Sequence, residues 1–84
     1  MDNVERVITI FERGKPDEEA YCGDVVLEEF DLSELQKLFN QPEDEPMVDC
    51  FKIEEKHLDY FQDKYGIILE LAKFEYYLEC NALD

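Results

Sequence analysis

Residues 4–13, VERVITIFER, place β-branched or aromatic side chains at most positions, which predicts a strand. GKPDEE (14–19) is turn chemistry punctuated by Gly14 and Pro16. CGDVVLEEF (22–30) predicts a second strand. So short a connection leaves no room for a crossover helix, so the two strands are expected to form an antiparallel hairpin.

The next stretch changes period. Leu32, Leu35, Leu38 and Phe39 form one apolar stripe at helical spacing. Asp31 is placed to cap this helix with Glu34 at its third position, a variant of the capping box, and Phe30 and Leu35 fit a hydrophobic staple. Pro42 ends the element and opens an acidic loop, QPEDEP (41–46). MVDCFKI (47–53) is expected to be a third strand, and EEKHLDYFQDKYG (54–66) a second helix that stops at Gly66. IILELAKFEYYLEC (67–80) is open to two readings. Its Tyr, Phe and Ile content favours a strand broken near Ala72–Lys73, while LELAKFEYYLE also fits a helix; the strand is preferred. The order is β-β-α-β-α-β: one small α+β domain over residues 1–84, with two helices packed on one face of a mostly antiparallel sheet.

On a wheel of about 100° per residue, the second helix divides into three strips. Leu58, Phe61 and Tyr65 share the core side. Glu55, Asp59 and Asp63 follow one another at i, i+4 and i+8. Lys56, Tyr60 and Lys64 make the third strip, with Tyr60 well away from the core. A solvated surface explains such an acid row, yet like charges at i, i+4 cost roughly 0.2–0.5 kcal/mol per pair. His57 falls at the edge of the core face.

Charge sharpens this picture. The chain holds 23 acids and 8 bases, a formal net charge of −15. Residues 1–42 carry 11 acids and 4 bases, residues 43–84 carry 12 and 4, so the excess runs through the whole fold. Uncompensated self-repulsion on this scale points to a cationic partner and away from nucleic acid and anionic membranes. The start of the chain, Met1 followed by acids, lacks the basic and apolar segments of a signal peptide, and no apolar run approaches a membrane span. Cys22, Cys50 and Cys80 are odd in number and widely spaced, which favours buried, reduced thiols in a cytoplasmic protein.

Chemistry is sparse. His57 is the only histidine, and no paired metal-ligand spacing accompanies it, so no metal site is expected. Glu43, Asp44 and Glu45 lack the glycine and alternating ligands of a calcium loop, and three glycines make no phosphate cradle. No carboxylate pair is singled out as an acid–base couple. The expectation is a non-enzymatic protein without cofactor.

The succession FDLSELQKLF, QPEDEPMVDCF and FEYYLEC resembles a family of small uncharacterised bacterial proteins. That family shares a D-L-x-x-L helix, a proline-acid loop before a D-C-[FY] strand and a terminal Y-[FY]-L-E-C. The likeness runs from about residue 24 onward and implies no catalytic residues. In size, acidity and expected cytoplasmic character the chain is also similar to the immunity proteins of contact-dependent growth inhibition and colicin systems. This implies an inhibitor that covers the basic site of a toxin, most simply a nuclease. On that expectation the partner-binding residues are Glu55, Asp59, Tyr60 and Asp63 on the helix and Glu43, Asp44 and Glu45 in the loop. A DNA mimic that inhibits DNA-binding proteins shares the electrostatics, and an acidic accessory domain without inhibitory role is the plainest alternative.

Overall fold

A computed structural model describes residues 4–82. The two ends of the expected 1–84 domain, Met1 and its first following acid included, lie outside the described residues. The elements run β1 (Val4–Glu12), α1 (Asp17–Ala20), β2 (Tyr21–Leu27), α2 (Leu32–Leu38), β3 (Phe51–Lys52), a 3₁₀ turn (Glu55–His57), α3 (Leu58–Tyr65) and β4 (Phe74–Ala82). One four-stranded sheet has the order β2-β1-β4-β3, every neighbouring pair antiparallel. The α+β class and the expected order hold, with α1 an added single turn inside what reads as a pure loop.

The core lies on one face of the sheet. Ile8 of β1, Leu27 of β2 and Tyr76 and Leu78 of β4 pack against Leu35 of α2 and Phe61 of α3, together with Met47 and Ile53. Burying each such side chain is worth roughly 1.5–3 kcal/mol, so these few residues supply most of the driving force. The Asp31 carboxylate accepts from the Glu34 backbone N–H at 3.3 Å, the cap expected from the sequence. Gly66 ends α3 at φ 67°, in the left-handed region where glycine has no Cβ penalty.

The third strand is a correction. Only Phe51 and Lys52 pair in register with β4, with the Ile53 N–H donating to the Tyr76 carbonyl just beyond them; of the chain before, Met47 turns into the core while 48–50 are exposed. Met47 is fully buried with φ 53°. Its carbonyl is taken by the Arg6 guanidinium, which also donates to the Pro46 carbonyl at 2.8 Å. Arg6 is itself buried and lies over the Phe30 ring, 5.3 Å from its centroid. Residues 67–73 are another correction. Ile67, Leu69 and Leu71 pack against the core while Ile68 is 75% exposed, so the alternation is that of a strand. The segment gains no sheet partner, and its Glu70 N–H donates to the Tyr76 hydroxyl at 3.0 Å instead. The strand begins at Phe74.

The thiols also differ from expectation. Cys22 and Cys50 are exposed and Cys80 half-buried, and none is bridged. Cys22 faces outward because a bulge shifts the β1–β2 register, pairing Ile10 with Gly23 but Phe11 with Tyr21.

Candidate functional site

The expected partner-binding residues fall into two groups that no hydrogen bond or ion pair among the described residues connects. Asp59 and Asp63 are exposed one turn apart on α3. Glu55 is exposed too, but it sits in the 3₁₀ turn. There each residue rotates about 120°, so it does not continue the line of Asp59 and Asp63.

Tyr60 is a correction. It packs against the core rather than pointing away from it, at 5.3 Å from the Phe61 ring centroid. Its hydroxyl donates to Glu34 Oε1 at 2.9 Å, and Lys64 donates to the same oxygen. Tyr60 and Lys64 of the third strip therefore meet α2, while Lys56 lies exposed in the 3₁₀ turn. These two donors, Lys64 first, hold the Glu34 carboxyl below the usual carboxylate range. Burial, followed by the bond to Glu34, pushes the Tyr60 phenol well above its ordinary value.

The proline loop is organised by its backbone. The buried Gln36 amide donates to the carbonyls of Glu43 at 3.0 Å and Glu45 at 2.7 Å. The Glu45 carboxylate turns back to accept from the Met47 N–H at 3.1 Å. Glu43 and Asp44 remain exposed. Glu45 thus holds the turn that buries Met47, and the loop presents two free carboxylates rather than three.

His57 is buried, at 2% exposure, rather than at the boundary. Its Nδ1 accepts from the Glu54 N–H at 2.9 Å and its ring lies 4.2 Å from that of Phe39. Nε2 therefore carries the proton of the neutral ring and has no partner among the described residues. Burial, with help from Lys56, holds its pKa below the ordinary value. The ring is a capping and packing group.

Sequence reasoning missed the other face of the sheet. In β1, Ile8 and Ile10 face the helices while Val7, Thr9 and Phe11 face the opposite way. Their cross-strand neighbours share that outward face: Val26 and Glu79 beside Val7, Tyr77 beside Thr9, Tyr21 and Glu75 beside Phe11. Phe11 meets Tyr21 and Tyr77 with ring centroids 5.8 Å apart in each pair. Tyr21 is 53% and Val26 44% exposed. A groove of about 440 Å³ runs from this aromatic cluster past the hairpin turn, with Cys50 on its wall. Thr9 donates to the Glu79 carboxylate at 2.5 Å, and Arg13 pairs with Glu75 at 3.1 Å. The signal was present in VITIF, where both alternating sets are apolar. Two amphipathic helices cover only one face of such a strand.

Among the described residues no group of His, Cys, Asp and Glu has the arrangement of a metal site, and no helix is long and apolar enough to cross a membrane. Residues 5–79 match the model of a family described as Domain of unknown function (DUF7683), and the chain belongs to that family. No curated protein and no solved structure matches the chain.

Proposed function

We propose that this member of the family is an acidic immunity-type protein that binds and neutralises a basic protein toxin, most simply a nuclease, in the cytoplasm. It acts by occupying a surface, without catalysis and without a cofactor. The observation that carries this reading is where the few bases go. Arg13, Lys15, Lys52, Lys64 and Lys73 are in ion pairs with acids of the same chain, and the buried Arg6 is spent on the Pro46 and Met47 carbonyls. Among the described residues only Lys37 and Lys56 are left without an ion pair or a buried acceptor. Against them stand exposed, unpaired acids at 17–19, 28–29, 43–44, 59 and 63. This surface repels phosphate and draws a basic cleft, raising the encounter rate and penalising wrong partners.

The experiment is co-expression with the toxin domain of a secreted protein encoded directly upstream. Restored growth and a stoichiometric complex whose association slows as salt rises are the expected results. Continued killing with both proteins folded and present overturns the reading. Inhibition of several unrelated DNA-binding proteins would transfer the chain to the DNA-mimic class instead.

A further inference from the structure

The geometry points to the open sheet face as the surface that receives the cationic partner, with one arginine or lysine side chain of that partner seated in the groove beside Phe11 and Tyr77. This inference rests on the reading above and adds to it a place and a chemistry.

Two features of the groove select its occupant. The first is apolar. Phe11 and Tyr77 line the groove and form with Tyr21 a contiguous aromatic cluster that neither α2 nor α3 covers, with Asp17 and Ala20 of the short α1 at the groove's edge. Aromatic side chains in a shallow, partly desolvated depression are the usual anchors of a protein interface. Scattered single apolar residues such as Val48 and Ile68 need no such explanation. The second is charge. In the groove wall Lys15 pairs with Glu12 and Arg13 with Glu75, which leaves Asp17 and Glu79 as an excess of two negative charges. Aromatic rings attract a cation through their quadrupole, and carboxylates take a guanidinium through paired hydrogen bonds. An anionic side chain meets repulsion from Asp17 and Glu79, and a purely aliphatic one leaves these two carboxylates without a cationic partner. The aliphatic stem of an arginine or lysine also suits the apolar part of the groove.

The division of labour that follows gives the α3 acids a steering role and the sheet face the close contact. Exposed charges act over about a Debye length, roughly 8–10 Å, whereas a buried anchor acts only after contact.

The first test uses the whole chain with a hexa-arginine peptide, followed by amide chemical shifts and by alkylation of Cys50 in a Cys22→Ser/Cys80→Ser variant. The expected result is saturable shifts centred on Phe11, Tyr77 and Glu79, with Cys50 alkylation slowed at least about five-fold. Both effects should be lost in Tyr77→Ser, a variant whose folding the same spectra report. Shifts spread evenly over all acidic surfaces, or centred on Asp59 and Asp63, overturn the inference. Once a toxin is in hand, Cys50 alkylation in the complex separates the two proposals. A neutralised toxin that leaves Cys50 reacting at its free rate overturns the location while the inhibitor reading stands. Peptide seated in the groove by a protein that fails to bind the co-expressed toxin supports the cation site and removes the inhibitor reading.

Discussion

The hydroxyl of Tyr60 reaches across from α3 to donate to Glu34 Oε1 of α2 at 2.9 Å. This bond ties together the two helices that cover the sheet and removes Tyr60 from the list of free interface anchors. Tyr60→Phe keeps the ring and deletes only the donor, so it is expected to lower stability by about 1 kcal/mol. The urea midpoint should fall with an unchanged slope, and toxin affinity should stay within about two-fold. Acid titration adds a second reading of the same contact. The Glu34 carboxyl is held down by Lys64 and Tyr60, so its contribution is present above the ordinary value of 4.5 and fades as pH falls through its lowered folded value. Glu34→Gln should flatten that part of the acid limb.

Arg6 carries a different kind of prediction. It is buried, its guanidinium serves the carbonyls of Pro46 and Met47, and no carboxylate pairs with it among the described residues. Arg6→Met retains much of the volume but strands the buried Met47 carbonyl, at a cost of roughly 1–3 kcal/mol, and frees the part-buried Pro46 carbonyl to water. The loop from 45 to 47 should loosen first, because Met47 is held at positive φ by these contacts. Amide exchange is the check. Protection at Met47 should drop by an order of magnitude or more while β1 and β4 amides change only with global stability.

Sequence patterns made much of the fold legible and for clear reasons. The β1–β2 hairpin, the Asp31 cap and the Gly66 stop depend on local chemistry, which the chain states outright. Residues 67–71 misread because their alternation reflects packing against the core without a sheet partner, and 47–50 because Met47 alone is drawn into the core while 48–50 stay exposed. The turn at 46–47 is held by Arg6, some forty positions away in the chain, whose guanidinium takes the Met47 and Pro46 carbonyls. Tyr60 misread because a helical wheel knows the helix's own axis but not that Glu34 of α2 meets its Tyr60–Lys64 side. The open face was legible in principle from the doubly apolar VITIF, but its aromatic cluster needed the bulge that brings Tyr21 beside Phe11.

His57 sets a pH limit. Its Nδ1 lone pair accepts the Glu54 N–H, and its Nε2 has no acceptor. Protonation would break the first contact and leave a buried charge. The folded pKa therefore lies below the ordinary 6.5, and the contribution to stability is whole above 6.5 and lost progressively as pH falls through the depressed folded value. Measured between pH 7.5 and 5, unfolding free energy should decline. In His57→Gln, which has no proton to take up, that decline should be shallower even though the variant starts less stable. Parallel pH curves for the two proteins would sink the assignment.

Steering and anchoring predict opposite kinetic signatures in the same complex. Asp59 and Asp63 are exposed on α3, so Asp59→Lys with Asp63→Lys changes the long-range field without touching a packed contact. Association should slow by about three- to ten-fold at low salt, with the difference shrinking above about 0.3 M as screening shortens the field. Dissociation should be nearly unchanged. The same substitutions exchange one like-charge i, i+4 pair for another and place a lysine in the first turn of α3, so stability should hold or fall by a few tenths of a kcal/mol. Tyr77→Ser should do the reverse, leaving association within about two-fold and speeding dissociation ten-fold or more, the mark of a desolvated anchor. Stopped-flow association and chase experiments at two salt concentrations separate the cases. If reversal on α3 accelerates dissociation as strongly as Tyr77→Ser does, the helix is itself in close contact and the interface extends across both surfaces.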